Sequence, residues 1–118
     1  MEKPNPAKDK SYAFALRVIK LYRHLCEDKK EFTLSKQLIR SGTSIGANVE
    51  EALGAQSSKE FGAKMSIAYK ECRETHYWLR LLRDSEYLTS LEAESILTDC
   101  DELCKIIGVS SEHLSGIR

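Results

Sequence analysis

The sequence predicts an all-α protein, an antiparallel up-down-up-down four-helix bundle, and three observations carry that reading. Apolar residues recur at helical spacing along almost the whole chain, with no sustained period-two alternation of the kind a half-buried strand needs. The only two prolines, Pro4 and Pro6, precede the first periodic segment, so nothing breaks the pattern after it. Two capping boxes, Ser57 with Glu60 and Thr89 with Glu92, mark helix starts. At 118 residues the chain suits one domain with a modest core. Short connections then make successive helices antiparallel neighbours. The expected organisation is a flexible lead-in over 1–9, the bundle over 10–108 and a C-terminal tail over 109–118.

The first helix is expected near 10–28, ending in the charged run 27–31. Tyr12, Ala15, Ile19, Tyr22 and Cys26 form one apolar stripe, and Phe14, Val18, Leu21 and Leu25 form a second. With Leu16 they cover roughly 220° of the helix, where a surface helix needs a stripe a little over about 100° wide. Apolar surface beyond the needs of one core has to be covered elsewhere, and a second copy of the chain provides that cover. The second stripe is therefore assigned to an oligomer interface.

The second helix is expected over about 34–53, with Leu34, Leu38, Ile39, Ile45, Val49 and Ala52 facing inward. Its middle, Ser41-Gly42-Thr43-Ser44-Ile45-Gly46, is a poor helix former, so a kink or short break is expected there. The glycines permit either that bend or a close helix approach. The third helix opens at the Ser57 cap and runs to about 83, with Phe61, Met65, Ala68, Cys72, His76 and Leu79 as its main stripe. Ala63, Ile67, Tyr77, Trp78 and Leu81 lie on another side, making this the second over-wide helix. Tyr77, Trp78 and Leu81 join the interface candidates, with core packing the alternative for Tyr77 and Trp78. The fourth helix opens at Thr89, carries Ala93, Ile96, Leu97, Cys100, Leu103, Cys104 and Ile107 on one clean stripe, and is expected to stop at Gly108.

The formal net charge is zero, yet it is unevenly spread. Residues 1–40 carry ten Lys/Arg against five Asp/Glu, whereas residues 84–118 carry two against eight. Either the first and last helices lie side by side and neutralise each other, or the charged faces meet between subunits in a head-to-tail ring. Arg17, Lys20 and Arg23 on the polar arc of the first helix, with Lys29, Lys30, Lys36 and Arg40 after it, are the candidate nucleic-acid contacts. No aromatic platform interleaves with them, so base-specific readout is not expected.

The patterns of familiar chemistries do not fit. No Glu is followed three residues later by His, as a di-iron carboxylate bundle requires, and the Gly42–Gly46 stretch lacks the Lys-Ser/Thr of a phosphate loop. Cys100 and Cys104 stand one turn apart, but no further Cys or His nearby in sequence completes a ligand set. No metal site and no cofactor is therefore expected, and the cysteines read as reduced core residues. Of the histidines, His76 alone lies on an inner stripe, where a hydrogen-bonded structural role is expected. His113 falls in a Ser-rich stretch. No apolar run reaches membrane-spanning length and no signal-peptide core is visible, so a cytoplasmic, non-membrane protein is expected.

The segment from Leu34 to Ala52, LSKQLIRSGTSIGANVEEA, and the segment from Lys70 to Leu79, KECRETHYWL, resemble a bacterial family closely. It is the small four-helix-bundle proteins encoded within intervening sequences of 23S ribosomal RNA genes, and the resemblance covers about residues 11–108. The resemblance implies an up-down bundle that assembles into a homopentameric ring, without catalytic residues, and with a role toward ribosomal RNA or a nucleoprotein. A similar fold is implied for the accessory variability determinant proteins of diversity-generating retroelements, which are strongly basic where this chain is neutral. Within the matching segments, Asn48 is expected to make a cross-helix or cross-subunit hydrogen bond. Arg40 is expected to pair with Glu50, Glu51 or a neighbouring subunit's acid. An oligomeric scaffold for a protein partner is the alternative function.

Overall fold

The structure is a computed structural model that describes the backbone of residues 3–115 and the side chains of residues 3–109. Among the described residues there are four helices and no strand: α1 (Pro6–Glu27), α2 (Leu34–Leu53), α3 (Ser58–Asp84) and α4 (Ser90–Ser115). Each helix packs on its neighbours in sequence and α1 closes back on α4, so α1 and α3 occupy opposite corners, as do α2 and α4. This is the expected bundle. No helix of the described residues is long and apolar enough to cross a membrane.

The helix ends follow from local chemistry. α1 starts earlier than expected because the Asn5 carboxamide accepts from the Lys8 N–H at 3.1 Å, leaving Pro6 in the first helical position, where its missing N–H costs nothing. Pro6 thus starts the helix, while Pro4 stands ahead of its cap. Lys30 takes a left-handed φ of 55° in the turn after α1. Next in sequence, Glu31 is 8% exposed and caps α2, its carboxylate accepting the N–H groups of Thr33, Leu34 and Ser35 at 3.2, 2.9 and 2.7 Å. Burial opposes ionisation of this carboxyl, but those backbone donors prevail and hold it below the usual glutamate range. The Thr89–Glu92 box is reciprocal, with bonds of 2.8 and 3.2 Å, and the Ser57 hydroxyl accepts from the Glu60 N–H at 3.1 Å. α3 ends with the Tyr87 N–H reaching the Leu82 carbonyl and Glu86 at φ 67°, a left-handed cap made without glycine.

Two expectations are corrected. α2 runs unbroken through residues 41–46. A Cβ on Gly42 would stand 2.7 Å from a Val18 methyl, and one on Gly46 would stand 3.4 Å from the Ser11 carbonyl oxygen. The small residues therefore let α1 lie close on α2. The Thr43 and Ser44 hydroxyls donate back to the carbonyls of Ile39 and Arg40, each at 2.6 Å, so they compete with no backbone bond across a gap. The second correction is Gly108, which lies inside α4 and not at its end. A Cβ there would stand 2.9 Å from the Tyr69 ring, so this glycine makes room for that ring. Part of the expected tail is thereby helical; the His113 side chain, residues 1–2 and residues 116–118 lie outside the described residues.

The core takes the expected stripe of α4 complete, from Ala93 to Ile107. It also takes Leu38, Ile45, Val49 and Ala52 of α2, and Met65, Ala68, Cys72 and Leu79 of α3. Leu34, Ile39 and Phe61 pack against it from its edge.

Candidate functional site

On α1 the fold chooses between the two apolar stripes, against expectation. Phe14, Val18 and Leu25 are 3%, 0% and 0% exposed within the single chain, and Leu21 is half-buried against the same core. These are core positions, and the assignment of this stripe to an oligomer interface is corrected. The uncovered stripe is the other one: Tyr12 is 67% and Leu16 54% exposed, with Ile19 and Tyr22 half-exposed. Arg23 follows Ile19 by four residues and Leu16 by seven, which puts this cation on the same face.

On α3 the second stripe stays open. Ile67 and Tyr77 are 41% and 46% exposed, Ala63 is exposed, and Trp78 and Leu81 are half-buried. Tyr77 meets Trp78 edge to face at 5.1 Å between centroids, and the Arg80 guanidinium lies 5.7 Å from the Tyr77 ring centre. The Trp78 indole N–H is buried and, among the described residues, makes no hydrogen bond of full geometry, although the Glu74 carboxylate lies near enough to feel it.

The candidate cations divide into two sets. Arg17 of α1 pairs with Asp99 of α4 at 2.5 Å and also bonds Ser95, while Lys10 pairs with Glu102. Side-by-side neutralisation of the first and last helices therefore occurs within one chain. Arg40 reaches across to α3, bonding Glu74 at 2.5 Å and Glu71 at 3.4 Å, not Glu50 or Glu51. The Arg40 guanidinium holds the Glu74 carboxyl below the usual glutamate range. Lys20, Arg23, Lys29, Lys30 and Lys36 make no ion pair among the described residues. They sit at the end of the bundle where α1 turns into α2. Beside them, α1 and α4 part to leave a cleft of about 650 Å³ with Arg17, Lys20 and His24 on one wall and Leu88, Leu91 and Glu92 on the other.

The remaining motif residues have modest roles. The Asn48 amide donates to the Ser44 carbonyl one turn back at 2.8 Å, a bond within its own helix where a cross-helix or cross-subunit one was expected. The His76 Nε2 lies 2.9 Å from an Asp101 oxygen, tying α3 to α4.

What sequence reasoning missed is Cys72. Read within one helix, Cys100 and Cys104 lack a third ligand; the fold brings one from α3, and the three sulfurs lie within 4.8 Å of one another. The signal was present: Cys72 precedes Tyr87 in the α3–α4 turn by fifteen residues, and Cys100 and Cys104 follow it by thirteen and seventeen. An antiparallel hairpin folded there sets them side by side.

No curated protein matches the chain. Among solved structures it is similar to a crystal structure of a protein with unknown function from the S23 ribosomal protein family of Bacteroides thetaiotaomicron. The two are 49% identical, with a TM-score of 0.88 over 90% of this chain and 95% of that one. With its four-helix fold established, and with a match over residues 4–109 to the family described as 23S rRNA-intervening sequence protein, the chain belongs to that family.

Proposed function

We propose that this protein is a non-enzymatic, self-assembling module that closes into a ring, expected to be a pentamer, and holds ribosomal RNA or a nucleoprotein by its phosphates. The observation that carries the reading is the pair of uncovered apolar faces on opposite corners of the bundle, Tyr12–Leu16–Ile19 on α1 and Ile67–Tyr77 on α3. A two-fold dimer through either face leaves the other bare. Pairing the α1 face of one copy with the α3 face of the next covers both, and such a head-to-tail contact closes into a ring. Ring formation would repeat Lys20, Lys29, Lys30 and Lys36, which make no ion pair among the described residues, around one rim, raising the local potential that attracts phosphate.

A second reading, a scaffold for a protein partner, is favoured by one observation: Arg17 and Arg40 are already neutralised within the chain. The experiment is light scattering followed by an RNA titration. The purified protein should weigh several times the 13.4 kDa of one chain, and Leu16→Glu, on an exposed position, should return it to one chain mass with its helicity intact. A wild-type protein that stays single at high concentration refutes assembly. An assembled protein that binds no ribosomal RNA fragment at low salt refutes the nucleic-acid role and leaves the scaffold.

A further inference from the structure

We propose that Cys72, Cys100 and Cys104 form a site for one soft, thiophilic metal ion of low coordination number, of the monovalent copper class. All three are free thiols. Cys72 and Cys100 are fully buried, and Cys104 is 9% exposed. Packing of α3 on α4 is served by the S–H bonds that Cys72 and Cys100 donate to each other's backbone carbonyls at 3.6 Å, and it does not require a third sulfur beside them. Here the sulfurs converge: all lie within 4.8 Å of one another, with Cys104 Sγ 2.7 Å from Cys72 Sγ.

The geometry suits trigonal sulfur coordination. With metal–sulfur bonds of about 2.3 Å, an ion at the centre of three sulfurs needs them about 4.0 Å apart. That spacing falls inside the span the cluster already occupies, and opening the Cys72–Cys104 pair by about an ångström reaches it. Three thiolates without nitrogen or oxygen donors select soft ions. No histidine or carboxylate joins the group among the described residues, so the fourth ligand of a closed tetrahedral zinc site is missing.

The site is also reachable. Cys104 opens onto a surface groove of about 290 Å³, flanked by Arg73 and Lys105. Those two cations, both on exposed positions, offset the negative charge that thiolates introduce. In the metal-free protein the Cys72 and Cys100 S–H groups each donate to the other's backbone carbonyl at 3.6 Å, bonds that are given up when the thiols lose their protons to the metal. On binding, each ligating thiol releases its proton to solvent and no electron moves. Cys26, which lies 3.6 Å from the Ser35 hydroxyl on the α1–α2 side, is outside the cluster.

The test is a titration of the full chain, reduced and free of oxygen, with copper(I) buffered by a coloured chelator. Native mass spectrometry reads the stoichiometry and X-ray absorption counts the sulfurs. One ion per chain with three sulfurs at about 2.3 Å is expected. Cys72→Ala and Cys104→Ala should each weaken binding more than about tenfold, and Cys26→Ala should leave it unchanged. Equal binding by Cys72→Ala and wild type overturns the proposal, as does loss on Cys26→Ala. So does a preference for zinc held by four ligands. If Cys72→Ala does not fold, the sulfur count on the wild-type protein decides alone, and fewer than three overturns the assignment.

Discussion

Replacing Glu31 should unsettle the end of the bundle that carries the unpaired cations. Its carboxylate is the acceptor for three consecutive N–H groups at the start of α2, while the N-cap residue Thr33 makes no side-chain cap bond of its own. Glu31→Ala leaves those donors without that acceptor, the Ser35 N–H in a buried setting and the Thr33 and Leu34 N–H groups in a partly buried one. Losing a helix cap costs about 0.5–2 kcal/mol, and hydrogen bonds to a charged group about 1.5–3 kcal/mol. A loss of about 2 kcal/mol for Ala and about 1 kcal/mol for Gln, which keeps one acceptor oxygen, follows from the two ranges.

The assay is urea unfolding followed by circular dichroism, at one fixed protein concentration because an assembling protein gains stability by mass action. The pH dependence is the sharper measurement. The folded state holds the Glu31 carboxyl below its ordinary value of 4.5. Its contribution is therefore fully present above that value and disappears as pH falls through the lower, folded one. The gap between wild type and Glu31→Gln should be widest near neutral pH and close on acidification. A gap that stays constant from neutral to strongly acid pH, or an alanine variant within about 0.5 kcal/mol of wild type, would refute the capping argument.

Gly42→Ala should destabilise the fold by about 1–3 kcal/mol in the same assay, since its methyl would meet Val18 between two packed helices. Glu86→Gly should act in the opposite direction, raising stability by roughly 0.5–1 kcal/mol, because the left-handed φ of 67° is unfavourable to any side chain. In RNA titrations, Lys29→Ala should lower the slope of log affinity against log salt by about 0.7 for each phosphate contact removed. Arg17→Ala, whose guanidinium faces Asp99, should leave that slope unchanged.

Much of the fold could be read in the sequence, because α4 has only one apolar stripe and both capping boxes name their own helix starts. α1 was ambiguous for a definite reason. Its two stripes are alike in composition, and periodicity says how many faces are apolar without saying which one the rest of the chain covers. The choice is made by α2: Gly42 and Gly46 present an almost side-chain-free strip, on which Val18 and Ser11 of α1 rest. The partners of Arg40 were hidden similarly, since Glu71 and Glu74 become neighbours only once the register of α2 on α3 is fixed. By contrast the α1–α4 pairing was visible as a charge imbalance between the two ends of the chain, and Lys10–Glu102 and Arg17–Asp99 are its outcome.

That pairing bears on how any salt effect is to be interpreted. The partners of the two α1–α4 ion pairs are between 40% and 51% exposed, and exposed pairs contribute about 0–1 kcal/mol each. Screening them with salt can loosen the seam where α1 and α4 part, but it cannot unfold a bundle whose core is the shared apolar face of four helices. An affinity for phosphates behaves differently: it falls as a power of the salt concentration, with an exponent set by the number of phosphates contacted. In the proposed ring, apolar contact between the α1 face of one copy and the α3 face of the next would be driven by burial, which screening does not weaken. If the proposed ring holds RNA, salt should therefore strip the RNA while leaving both ring and fold in place. Only a protein that used its charges for assembly would come apart at the same salt concentration at which it released RNA.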